Sequence, residues 1–164
     1  METMDRTQFT FKQTLMNFKN YLIVVIRILL GAVFLWASFD KIIDPSKFAR
    51  DISNYHIIPF GLENIIAIVL PWLEFFIGSG LILGILVDGA ILLSGILLIA
   101  FNVLIAQAML RGFNIDCGCG LKEGQLVGVE KLLENFVFLG GTYLVYLRSK
   151  KLLEFYPKSE LSNK

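Results

Sequence analysis

Apolar residues run almost without interruption through four stretches of the chain, Tyr21 to Phe39, Leu62 to Leu86, Gly89 to Leu110 and Val129 to Leu147. Each is close to the roughly 20 residues that a helix needs to cross about 30 Å of hydrocarbon. Strands of a transmembrane barrel would be about half as long and polar on alternate positions, a pattern missing here. The stretches therefore predict an all-α membrane protein, a four-transmembrane-helix bundle running up and down in one integral membrane domain over residues 1–164. Little more than Val87-Asp88-Gly89 separates the second and third stretches, which makes them an antiparallel hairpin.

The other two connections carry content of their own. Asp44-Pro45 reads as a helix cap followed by proline at the first helical position. Phe48, Ile52 and Tyr55 then fall at i, i+4 and i+7, with Lys47, Arg50 and Asp51 on other faces, so a short amphipathic helix in the first outer loop is expected. The glycine-rich connection from Arg111 to Gly128 holds Cys117-Gly118-Cys119 and reads as a loop. Ahead of the first stretch, Phe11, Leu15 and Phe18 keep helical spacing and suggest an interfacial lead-in rather than a cleaved signal peptide. Gly80 and Gly84 form a GxxxG that reads as a helix-packing seam.

Composition sharpens this picture. Hydrophobic residues make up 55% of the 164 and charged ones 18%, too few polar side chains to cover a soluble domain of this length. A net charge of +1 offers no basic field for nucleic acid, so no nucleic-acid partner is expected and the lipid bilayer is. Lysine and arginine distribute as eight on the side of the two termini and six on the side of the two long connections, with Arg27 inside a helix. By the positive-inside rule this places both termini in the cytoplasm and the Cys-x-Cys loop outside. There a disulfide persists, whereas the cytosol would reduce it.

The cysteine pair is the most informative chemistry. One intervening residue closes a very small ring, and Gly118 supplies the freedom to fold it. Strain of that kind makes a disulfide labile, which suits exchange more than bracing, and so short a loop removes little unfolded-state entropy. Two unrelated thiols, or a metal contact drawing on Asp116 and His56, are the alternatives; no metal site is assigned. Polar groups within the apolar stretches are Arg27, Glu74, Asn102, Gln107, Glu134 and Asn135, each costly in hydrocarbon unless paired or hydrated. Asn102, Gln107, Glu134 and Asn135 fall in the half nearest the cysteine loop, where a quinone head group would need hydrogen bonds. Helix-to-helix hydrogen bonding is the alternative. Glu74 lies one turn beyond Pro71, near mid-membrane, with Arg27 as a possible partner. His56 is a further candidate, either as a solvated interfacial group or as a proton relay or ligand. Lys41 and Asp44 are expected to pair at the headgroups.

The run from Arg27 through Gly31, Phe34, Ala37 and Lys41 to Asp44-Pro45, followed by Phe48, Tyr55 and Pro59, resembles the opening of the DoxX superfamily. Pro71-Trp72-Leu73-Glu74 with Gly78 and Gly84 continues the resemblance. The Cys-x-Cys loop is similar to that of the branch typified by the methylamine-utilisation protein MauE. Gly120-Leu121 follows Cys119 where that branch usually has Phe-Gly. The resemblance implies a membrane protein with a redox-active disulfide, Cys117 and Cys119, serving an extracytoplasmic thioredoxin-like protein and passing electrons to or from a membrane quinone. It also leaves open a non-enzymatic anchor or assembly subunit of a quinone-linked complex. Nothing in the residues themselves points to methylamine.

Overall fold

The computed structural model describes residues 2–54, 61–111, 129–148 and 153–154, with side chains from residue 18 onward. Among the described residues every regular element is helical. They are α1 (Glu2–Ile43), α2 (Pro45–Asn54), α3 (Leu62–Leu83), α4 (Val87–Leu110) and α5 (Val129–Tyr146). The lead-in and the first apolar stretch are one continuous helix rather than two elements, since neither proline nor glycine interrupts residues 2–30.

Among the described residues three helices are long and apolar enough to cross a membrane: Phe18–Ile43 within α1, and all of α3 and α4. The fourth expected span is present as α5, but its 18 residues include Glu130, Lys131 and Glu134. Its length and polarity therefore do not establish a crossing by themselves.

α1 packs on α3 and α5, and α4 packs on the same two, while α1 and α4 stand across the diagonal. The shared core is built from Leu30 and Phe34 of α1, Ile77 and Leu81 of α3, Ile91 and Leu98 of α4, and Val145 of α5. Large apolar side chains point outward as well, with Trp36, Ile68, Val69, Leu92, Val103 and Val137 all exposed, while Arg27, Lys41, Glu74 and Lys131 are buried. Hydrocarbon outside and charge inside is the arrangement a bilayer demands and water would not tolerate. The chain is a membrane protein.

α1 and α3 approach each other closely at Gly31 and Gly78. A Cβ on Gly31 would stand 2.8 Å from the Gly78 carbonyl oxygen, and one on Gly78 would stand 2.7 Å from the Gly31 oxygen. The GxxxG is a looser contact: a Cβ on Gly80 would stand 3.6 Å from the Ala90 Cβ of α4. Gly84 instead terminates α3 in the left-handed region, φ 74, with its N–H donated to the Gly80 carbonyl. That carbonyl also accepts from Ile85 N at 3.0 Å, closing the α3–α4 turn. Here the GxxxG spacing is the signature of a helix end.

α2 forms as its sequence predicts. The Lys47 N–H donates to Asp44 Oδ1 at 2.9 Å, which is the expected cap, and Phe48, Ala49 and Ile52 are buried. They pack against Ala67, Ile66 and Leu70 of α3. Asp44 is thus occupied as a cap, and its expected partner Lys41 turns inward.

Candidate functional site: a charged chamber at one end of the bundle

The end of α1, the end of α4 and the start of α5 meet at the end of the bundle opposite the α3–α4 turn. Lys41, on the last turn of α1, donates from Nζ to both carboxylate oxygens of Glu74, at 2.7 and 2.8 Å. Both side chains are almost fully enclosed, 4% and 2% exposed. The ammonium also lies 5.1 Å from the Phe48 ring centroid and 5.4 Å from that of Phe101. Its charge is thus met by a chelating carboxylate and two aromatic rings, which together offset the loss of water.

On α5, Lys131 Nζ donates to Glu134 Oε2 at 2.7 Å across one helical turn. Lys131 is enclosed, whereas the Glu134 side chain keeps 38% exposure. A cavity of about 50 Å³ lies between the two pairs. Lys41, Glu74, Lys131, Glu134 and Asn135 form its polar wall, and Leu30, Phe34, Leu98, Phe101 and Phe138 are among its apolar lining.

The structure thus brings Glu74, Glu134 and Asn135 together and leaves other expected members out. Asn102 does not line the cavity. Its Nδ2 donates to the Leu98 carbonyl at 2.9 Å, while its buried Oδ1 has no partner among the described residues. Gln107 is half-buried farther along α4 and does not line the cavity either. Cys117, Cys119 and His56 lie outside the described residues; α4 runs nine residues past the chamber residue Phe101 before it ends, and α5 begins two residues before Lys131.

Arg27 does not reach Glu74. Gly31 faces Gly78 and Ile82, so the antiparallel register places Arg27 level with the α3–α4 turn. At about 1.5 Å per residue it stands more than 10 Å from the Glu74 level. There Arg27 donates to the Leu153 carbonyl at 3.1 Å and lies 3.9 Å from Glu154. Arg148 completes this second cluster, binding both oxygens of Glu154 at 2.6 and 3.2 Å and Asp88 at 2.6 Å. Burial alone would lower the Arg148 pKa, but the hydrogen bonds to Glu154 and Asp88 outweigh it and raise the pKa, so Arg148 stays charged.

Lys41 and Lys131 are the site residues that sequence reading left out: Lys41 is expected only to pair with Asp44 at the headgroups, and Lys131 enters only as one of the six charges of the long connections. The i, i+3 spacing of Lys131 and Glu134 was a usable signal; Lys41 carried none without the α1–α3 register.

A helical membrane bundle with two Lys–Glu pairs around a cavity at the end opposite the α3–α4 turn defines the class. The family model described as methylamine utilisation protein MauE matches residues 19–148. The chain belongs to the MauE family. It is 32% identical over 102 residues to the methylamine utilization protein MauE of Paracoccus denitrificans, covering 60% of this chain and 55% of that protein. It is 34% identical over 91 residues to the protein of the same name from Methylorubrum extorquens, covering 53% and 49%. The matched region thus spans about half the length of these curated relatives. No solved structure matches the chain.

Proposed function

We propose that this chain is a membrane thiol-disulfide exchange protein whose working group is the Cys117-Cys119 pair. A thiolate of an extracytoplasmic thioredoxin-like dithiol attacks one sulfur of the Cys117-Cys119 bond, and the other sulfur leaves as a thiolate and takes up a proton. The partner's second thiol, deprotonated, then attacks the mixed disulfide. The partner ends as a disulfide, and two electrons and two protons rest on Cys117 and Cys119. Run backwards, the same steps oxidise the chain and reduce the partner.

The observation that carries this reading is the placement of the chamber's ion pairs at the end of the bundle from which the Cys-x-Cys connection departs. The topology belongs to the same proposal. α5 is the fourth span, both termini face the cytoplasm of the inner membrane, and the cysteine connection faces outward. Lys41 and Lys131 are interior charges, as is Arg148 on the other side. Setting them aside leaves seven loop lysines and arginines against four, a wider margin than the raw count.

A lipid quinone is the proposed redox partner on the membrane side. Its ring does not fit the chamber, because a six-membered dicarbonyl ring is larger than the few water molecules that about 50 Å³ holds. No step is therefore assigned through a quinone at Glu74, Glu134 or Asn135. The relatives carry methylamine utilisation in their names, and that process is the proposed physiological setting.

The test is capture of the exchange intermediate. In Cys117→Ser and Cys119→Ser chains the remaining thiol has no internal resolving partner, so a mixed disulfide with a Cys-x-x-Cys protein should accumulate on non-reducing gels. Adduct-free gels for both variants, with the wild-type level of function retained, would assign the chain to an anchoring role.

A further inference from the structure

We propose that the chamber between the two Lys–Glu pairs is a hydrated proton-exchange site, in which a small water cluster joins the Glu74 carboxylate to Glu134. The first argument is size and polarity. A water needs roughly 10–15 Å³ of such space and two to four polar partners, so a cavity of about 50 Å³ takes on the order of three. Apolar cavities of this size stay dry. This one is lined by seven apolar residues and by five polar ones, Lys41, Glu74, Lys131, Glu134 and Asn135, whose ammonium, carboxylate and amide groups are the partners water would take.

Hydrogen-bond accounting points the same way. Lys41 has three ammonium hydrogens and spends two on Glu74. The third, together with the remaining carboxylate lone pairs and the Asn135 amide, offers the partners that bridging waters require.

The second argument is the contrast between the carboxylates. Glu134 keeps 38% side-chain exposure and Glu74 only 2%. A proton reaching Glu74 by this side therefore passes from outside water to the Glu134 carboxylate, making the carboxylic acid, then through the chamber water to the Glu74 carboxylate. Glu134 returns to its anion, Glu74 becomes neutral, and no electron moves. Lys41 of α1 and Lys131 of α5 are the charged groups that face this route, while α4 contributes Leu98 and Phe101 and α2 places Phe48 beside Lys41.

Two measurements on the full chain in lipid nanodiscs test this. Radiolytic hydroxyl-radical labelling modifies side chains that border retained water even when bulk solvent does not reach them. Phe34 is 6% exposed and borders the chamber. It should be labelled, and the labelling should drop several-fold in Ala37→Val, which adds methyl groups to the chamber wall. Equal Phe34 labelling in the two chains, at equal thermal stability, would overturn the hydrated chamber. The second measurement does not depend on that variant. Infrared spectra after a pH drop should show a protonated carboxyl band that is lost in Glu74→Gln, and its rise should slow several-fold in Glu134→Gln. An unchanged rate would overturn the route. Neither readout involves the cysteines, so the exchange proposal stands or falls separately.

Discussion

Removing one partner of the Lys41–Glu74 pair should be among the most damaging single changes in this protein, and removing both should cost less than the two losses added. The two side chains are 4% and 2% exposed and joined by hydrogen bonds of 2.7 and 2.8 Å. Glu74→Leu leaves a buried ammonium facing two aromatic rings, and Lys41→Met leaves a buried carboxylate. Breaking such a pair from one side costs about 3–5 kcal/mol, because the surviving charge has lost both water and its counter-ion. In the double variant no charge is stranded, and an apolar replacement of similar volume is often neutral or stabilising by about 1–4 kcal/mol. The loss of two ring–ammonium contacts, about 2 kcal/mol each for an ammonium shut off from water, works against that gain. The double variant should therefore lie no more than about 4 kcal/mol below the parent, and the coupling should be at the upper end of the ~0.5–3 kcal/mol seen for contacting residues, or above it. Reversible unfolding in mixed micelles, followed by Trp36 and Trp72 fluorescence, supplies all four corners of the cycle. Single variants within about 0.5 kcal/mol of the parent, or a double variant as unstable as the sum of the singles, would refute the reasoning.

The remaining predictions concern the glycines and the second charge cluster. Gly84→Ala should lower the unfolding temperature, because φ is 74 and the added Cβ would collide with the Leu153 carbonyl oxygen. Gly89→Ala, where a Cβ meets nothing within 4 Å, should be neutral or gain up to about 1 kcal/mol by the same thermal assay. Gly31→Ala should loosen the α1–α3 seam and lower stability, since its Cβ would fall 2.7 Å from Ile82 and 2.8 Å from the Gly78 oxygen. Glu154→Gln should weaken the tie between the Leu153–Glu154 segment and both Arg27 and Arg148. Proteolysis after Arg148 should then accelerate, and an unchanged cleavage rate would show that the cluster does not hold the segment.

Much of the helical layout could be read from hydropathy alone, because a lipid-facing helix is apolar on nearly all sides and its length is fixed by the bilayer. The α3 and α4 boundaries fall within three residues of the apolar stretches, and the Asp44 cap of α2 is where its side-chain chemistry puts it. What hydropathy does not carry is register. Glu74 was recognisable as a buried acid needing a partner, yet choosing between Arg27 and Lys41 depends on how far α3 slides along α1. The Gly31–Gly78 contact sets that slide, and two glycines in different helices do not announce that they meet. Side-chain direction adds to it, since Lys41 leans back toward the start of its helix and so reaches a residue about a turn below its own level. For the same reason Asn102 and Gln107, although in the correct half of α4, lie off the chamber lining.

The central claim, that Cys117 and Cys119 exchange disulfides with a dithiol outside the cytoplasm, is tested most directly by trapping their redox state in oriented membrane vesicles. Vesicles with the cysteine connection facing the medium are mixed with a reduced thioredoxin-type dithiol, quenched with acid and labelled with a membrane-impermeant maleimide. The account predicts no label before the dithiol is added, two labels per chain afterwards, and one dithiol oxidised for each pair reduced. Vesicles of the opposite orientation should show no reaction. Thiols already labelled without reductant, or a pair that stays unlabelled in both orientations, would contradict it.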